Sequence, residues 1–248
     1  MVDPMHFEAR AEDYDRARPP YPEALWRELR DRGLLEPGHR ALDLGAGSGQ
    51  ATRGLLAAGL SVTAVEPGPR LAAVLGERCP GAEVVVCRAE ELERPASSFE
   101  LAVAATSVHW MELDVLLPRL HRLLVPGGRL AVWRNVFGDP DVRTPFRDRL
   151  AEIVAARPTP PRRGPDAEDV VVTTGELTRS GHFTVTGTSV WSWSTRLDTD
   201  QVRRLFSTFS DWSSQEVGAA AHAVEGLGGS VVEHYRSWLL VLDRAPVP

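Results

Sequence analysis

The residue types best suited to chemistry fall in one stretch, Ala41 to Gln50, with the sequence ALDLGAGSGQ. A short apolar run breaks there into a loop with glycine at Gly45, Gly47 and Gly49. Glycine at alternate positions lets the backbone turn tightly and leaves no side chain between main-chain N–H groups and a ligand. The following ATRGLLAAG has the pattern of a helix opening, so the order is strand, glycine turn, helix. A second strand, SVTAVE, ends on Glu66, whose carboxylate can accept both hydroxyls of a ribose. Turn and acid together describe a nucleoside site.

Spacing narrows the kind of nucleoside. A dinucleotide fingerprint puts its third glycine one position later, where this chain has Gln50. A nicotinamide-dependent oxidoreductase is therefore a rival with the wrong register. Asp43 instead completes D-x-G-x-G-x-G, which resembles motif I of the class I S-adenosylmethionine (SAM) dependent methyltransferases. The resemblance runs from Tyr14 to the last strand, with its specific motifs between Asp43 and Trp133, and is nearest the small-molecule branch that includes trans-aconitate methyltransferase and natural-product tailoring enzymes. It implies SAM as cofactor and S-adenosylhomocysteine as product. It also implies cofactor contacts from Tyr14, Arg18, Asp43, Gly45, Ala46, Gly47, Gly49, Glu66, Pro67, Ala89, Glu90 and Thr106.

Some of these have plain alternatives. Arg18 suits a methionine carboxylate because its planar fork donates two charge-assisted hydrogen bonds, but it could equally form a surface ion pair. Glu90 could accept from the adenine amine, or it and Glu91 could simply favour the start of a helix. At the end of a fourth strand, LAVAA, come Thr106, Ser107, His109 and Trp110, on the edge of a parallel sheet where ligands bind. His109 is the candidate general base, and packing or hydrogen bonding is the alternative. The run T-S-V-H-W there departs from the N-P-P-Y-like run of base-modifying nucleic-acid methyltransferases.

The elements that must position these residues alternate. Strands and helices succeed one another up to RLAVWRN, with a leucine-rich helix, DVLLPRLHRLL, and a P-G-G turn before that strand. The expectation is an α/β fold: a Rossmann-like, seven-stranded, mostly parallel sheet with helices on both faces, the last strand antiparallel, and a small helical cap. The third strand, EVVVCRAEEL, is expected to be buried on both faces. Residues 1–38 are expected to form N-terminal lid helices, 39–135 the SAM-binding core, 136–182 an inserted helix and loop of the cap, and 183–248 the sheet-completing strands with cap helices between them. PTPPRRGPDAEDV reads as an exposed loop. Trp110, Trp133, Arg134, Phe137, Trp191 and Phe206 are candidates to line an acceptor pocket, although an aromatic at strand or helix spacing can be plain core.

Composition bounds the partners. The net charge is −6, so there is no basic field to attract nucleic acid or an anionic membrane. All 28 basic residues are arginine, which excludes lysine catalysis. Two cysteines, Cys79 and Cys87, suit a reducing cytoplasm and form no metal cluster with histidine. No apolar stretch approaches the roughly 18 residues of a membrane span, and the N-terminus is polar. The expected partner is a small molecule, with the chain a monomer or homodimer. A protein that binds SAM without methylating, as a scaffold or in a rearrangement, is the second rival, because binding and turnover are separable.

Overall fold

The computed structural model describes residues 17–159, 168–209 and 211–246. Its strands are β1 Arg40–Leu44, β2 Ser61–Val65, β3 Glu83–Val85, β4 Phe99–Ala105, β5 Leu124–Phe137, β6 Phe183–Asp198 and β7 Ser230–Arg244. The helices are α1 Glu23–Asp31, α2 Gln50–Ala57, α3 Pro69–Arg78, α4 Leu113–Leu123, α5 Pro145–Ala155, α6 Val170–Thr178, α7 Thr199–Ser207 and α8 Ser214–Gly226. One sheet runs in the order β3-β2-β1-β4-β5-β7-β6, with β7 antiparallel to both its neighbours. The expected Rossmann-like sheet with its last strand antiparallel is what forms.

Period-two alternation divides the sheet's side chains between two cores. Ala102 and Ala104 of β4, Leu130 and Val132 of β5, and Trp238, Leu240 and Leu242 of β7 face one layer. Leu101 and Val103, Ala131 and Trp133, and Leu239 and Val241 face the other, where α1 seats Leu25 and Leu29. The strand order changes direction between β1 and β4, and their carboxyl ends open the crevice that such folds use for ligands.

Two expectations need correction. β3 is only three residues long and lies at the sheet edge, so it is only partly covered: Val84 and Val85 are half-buried against the two cores, and Val86 just beyond it is 56% exposed. An apolar run alone cannot distinguish a central strand from an edge. Helix α6 begins at Val170, inside the stretch expected to be loop, because Asp169 caps it by accepting the Val171 N–H at 2.7 Å. It buries Leu177 in the sheet's core and not among the cap helices.

β5, β6 and β7 outrun the parallel strands, pairing as far as Phe137 with Tyr235 and Asp198 with Ser230. Their extended ends carry a third core from α5, α7 and α8, built on Phe146, Leu150, Val202, Leu205, Phe206, Val217, Ala220 and Val224. Both α7 and α8 open with full capping boxes, Asp198 with Gln201 and Ser213 with Glu216. Phe206 is fully buried and makes edge contacts with Phe137, Phe146, Phe209 and Trp212. Phe206→Ala should therefore cost about 3–5 kcal/mol, read as a lower urea midpoint. A loss under 1 kcal/mol would mean that this third core does not carry the cap.

Candidate active site

The glycine turn is built as its residues require. Gly45 and Gly47 have φ of +63° and +57°, a left-handed backbone that costs glycine nothing. A Cβ on Gly45 would come within 2.7 Å of the Ser107 Cβ, so the loop lies directly on the segment after β4. A Cβ on Gly47 would meet nothing within 4 Å; this glycine faces open space. Glu66, immediately past β2, accepts the Gly47 N–H on Oε2 and the Gly68 N–H on Oε1, both at 2.9 Å. A carboxylate oxygen can accept more than one hydrogen bond.

Asp43 sits beneath this loop, fully buried. Its Oδ2 accepts the Thr52 hydroxyl at 2.6 Å, while Oδ1 has no hydrogen-bond partner among the described residues. Burial, with the charge of Glu66 adding to it, outweighs the Thr52 hydrogen bond and pushes the Asp43 carboxyl up to about 7.

A cavity of about 400 Å³ runs from the glycine loop to the cap. At one end stand Gly45, Ala46, Gly47, Glu66, Pro67, Ala89 and Glu90; Thr106 and Trp110 also line it, as does Arg18, which donates to the Thr208 carbonyl at 3.3 Å and lies 4.8 Å from the Phe209 ring. Glu90 is tied down by the Glu112 N–H, which it accepts at 2.6 Å. Thr106 also has a left-handed backbone, φ +62°, unusual for a β-branched residue and held by its N–H to the Trp133 carbonyl at 2.8 Å. Its hydroxyl lies 3.2 Å from that of Tyr21. At the other end the walls are Asn135, Phe137, Leu205, Phe209 and Tyr235.

Several sequence candidates lie elsewhere. Tyr14 is outside the described residues. Asp43 and Gly49 do not reach the cavity; they support the loop from behind. Trp133 shares the β5 face of Asn135 and Phe137 but sits a strand step too early, fully buried and in edge contact with Tyr21 and Trp26. Arg134 is on the opposite β5 face. Trp191 packs against the second core and Phe206 into the third, so neither touches the cavity.

His109 also stands outside the cavity lining, at the surface. Its Nδ1 is 3.1 Å from Nη1 of Arg134. A guanidinium can only donate, so Nδ1 is the acceptor and the neutral ring carries its proton on Nε2. The residue is exposed, but its ring packs on Trp110 at 4.7 Å between centroids and against the Arg134 guanidinium; that desolvation of the ring, with the Arg134 and Arg18 charges behind it, holds its pKa well below the usual histidine range. The ring has no free lone pair with which to act as the expected base.

Residues that periodicity did not single out as site residues complete the wall. Trp193 Nε1–H donates to Ser237 Oγ at 2.7 Å, and the Ser237 hydroxyl donates to Asn135 Oδ1 at 2.6 Å. This relay fixes the Asn135 amide so that its NH₂ is the donor, and that NH₂ donates to the Pro20 carbonyl at 3.4 Å. Tyr235, opposite Phe137 in the β5–β7 register, stacks on Trp193 at 4.7 Å. The only sequence signal for these positions was the pairing of β5 with β7, which no local pattern encodes.

The profile of the family described as "Methyltransferase domain" matches residues 42–132, from within β1 through most of β5. Residues 42–132 are a methyltransferase domain. The chain is 35% identical over 149 residues to an uncharacterized methyltransferase of Mycobacterium tuberculosis, covering 60% of this chain and 58% of the relative. It is 36% identical over 159 residues to the malonyl-[acyl-carrier protein] O-methyltransferase of Halorhodospira halophila, covering 59% of this chain and 51% of that protein. The matched stretches thus span little more than half of these curated relatives. A solved structure of a candidate type II methyltransferase from Anaeromyxobacter dehalogenans superposes with a TM-score of 0.68 at 26% identity, covering 93% of this chain and 99% of that one. The methyltransferase domain holds the glycine loop and Glu66, whereas Phe137, Leu205, Phe209 and Tyr235 lie beyond it.

The Asp43 carboxyl gives this domain a measurable pH signature. A folded-state pKa raised from 3.8 to about 7 means that the folded chain holds a proton the unfolded chain has already released. Asp43's contribution is then most favourable below about pH 4 and is lost as pH rises toward 7. Relative to Asp43→Asn, the native protein should lose on the order of a few kcal/mol between pH 5 and 8, followed by urea unfolding of both proteins. Parallel curves would mean that Asp43 is ionised throughout.

Proposed function

We propose that the chain transfers the methyl group of SAM to a small-molecule acceptor, leaving S-adenosylhomocysteine. The observation that carries this reading is one cavity bounded by the nucleoside-type loop at one end and an aromatic cap at the other. The residues fit the cofactor. Gly47 borders the cavity with a left-handed backbone and open space where a side chain would stand, Glu66 presents a carboxylate for ribose hydroxyls, and Ala89 and Glu90 border the position expected for adenine. Arg18, on the same cavity, can hold a carboxylate through charge-assisted bonds.

Bound SAM supplies a methyl carbon on a sulfonium: an acceptor lone pair bonds to that carbon while the carbon–sulfur pair returns to sulfur, and the acceptor's proton leaves to solvent. The protein's own part is alignment and exclusion of water. Tyr21, Thr106 and Ser107 form the passage between the two ends, and the strained Thr106 backbone is fixed from the β5 side. The cap seals the acceptor end with Phe137, Leu205 and Phe209.

Calorimetric titration tests the cofactor: SAM and S-adenosylhomocysteine should bind and NADH should not. Glu66→Ala should weaken SAM at least about tenfold, because it removes the ribose acceptor and frees the Gly47 N–H together. Unchanged affinity would refute the ribose role. Release of S-adenosylhomocysteine across an acceptor panel tests transfer, and binding without any release would favour a SAM-binding protein that does not methylate. With an acceptor in hand, His109→Ala should leave the rate and its pH profile intact; a rate fall that tracks a lost titration would restore the base role.

A further inference from the structure

The two edges of the sheet are built differently. β3, at one edge, is three residues long and opens on Glu83, which is paired with Arg94. β6, at the other, runs for sixteen residues, and its residues 184–195, TVTGTSVWSWST, include no charge and no proline. Soluble proteins normally keep such an edge short or guard it with charge or proline, because its outward N–H and C=O groups pair with any matching strand. Among the described residues, the main-chain groups of residues 184–195 bond to β7 and to nothing else. One bulge, between Val185 and Gly187, interrupts the edge, and from there to Asp198 the strand is regular.

That regular stretch matches a second copy of itself. Run antiparallel about Ser192, it places Trp191 of one copy opposite Trp193 of the other, Val190 opposite Ser194, and Arg196 opposite Thr188. Aromatic pairs directly opposite stabilise a sheet, and no like charges face each other. Asp139, which accepts the Ser192 hydroxyl at the axis, is already neutralised by Arg236. The overlap also ends where the fold requires it: the bulge of each copy lies opposite the point where its partner's β6 gives way to α7 at Thr199. About a dozen residues at about 3.4 Å each, on an edge about 10 Å deep, bury roughly 400 Å² per copy, the size of a weak, concentration-dependent pair. With both β6 edges used, β3 is too short to extend the sheet, so the assembly closes at two.

We propose that the outer edge of β6 is a self-association surface, and that two copies of the chain pair antiparallel about Ser192 to form one continuous fourteen-stranded sheet, twice the seven of the single chain. The strand that pairs also carries Trp193, the start of the relay to Asn135, so the interface backs the cavity wall. The proposal stands apart from the methyl-transfer reading.

Sedimentation velocity of the full chain, from about 1 to about 300 µM, should show a reversible step from the 27.2 kDa chain to twice that mass, with a dissociation constant on the order of 10 µM. Two double variants at exposed positions test the register. Val190→Arg with Ser194→Arg sets like charges opposite each other on both sides of the axis and should weaken the pair at least about tenfold. Val190→Arg with Ser194→Glu sets opposite charges there and should pair at least as tightly as the native chain. A variant that merely disturbed the fold would not respond to the sign of the second charge. Hydrogen exchange on the native chain supplies a readout free of substitutions: amides of residues 184–195 should slow as concentration rises, while those of β3 should not. A native chain that stays single at every concentration, association that runs past two copies, equal association of both double variants, or exchange in β6 indifferent to concentration would each overturn the proposal.

Discussion

The carboxylate of Glu66 is the fastening on which the site depends. It takes one N–H from the glycine turn after β1 and one from the start of the segment leading into α3, and so ties two neighbouring βα connections together. Hydrogen bonds to an ionised group are worth about 1.5–3 kcal/mol each, enough to fix a turn whose glycines would otherwise sample many conformations. Because Glu66 is also buried at the cavity wall, one group both shapes the loop and faces a ligand. Asp43 supports the arrangement from below through Thr52, and its unmatched Oδ1 is the cost of packing a carboxyl under that loop.

The acceptor end depends on a different device, the length of three strands. β5 and β7 continue past the parallel sheet, so that Asn135 lies opposite Ser237 and Phe137 opposite Tyr235, and β6 brings Trp193 against Tyr235. A parallel strand feeds the ligand crevice only with its carboxyl end. An antiparallel partner alongside it adds its own side chains, which is how β7 contributes Tyr235 to a cavity begun by β1 and β4. The Trp193–Ser237–Asn135 relay then sets which atoms of Asn135 are available.

The cap is a core in its own right, joined to the cavity by single residues. On α7, Leu205 belongs to the third core and also borders the cavity, while the adjacent Phe206 lies in that core alone, and Phe209, just past the helix end, packs on the core and borders the cavity. The division of labour between neighbouring aromatics explains why a list of aromatics from the sequence mixes wall with core. Arg147 links the two regions, lying on Phe137 and paired with the buried Glu233 on β7.

The sequence alone determined what depends on neighbouring residues. The spacing of Asp43, Gly45, Gly47 and Gly49, with an acid one strand later, dictates a turn, a helix start and a carboxylate within reach of each other, because every link there is local. Alternation of strands and helices likewise dictated the parallel sheet. Tertiary structure decided what depends on partners far along the chain. Only the β5–β7 register brings Tyr235 to the cavity, keeps Trp133 out of it, and leaves Phe206 behind Leu205. Only Arg134, from another strand, takes the His109 lone pair. β3 read as buried because an apolar run records hydrophobicity and not its place in the sheet, and α6 began early because a single capping acid outweighed the prolines and charges before it. Backbone geometry is written in short-range residue types, whereas the direction of a side chain and its hydrogen-bond partner are set by strand register and packing.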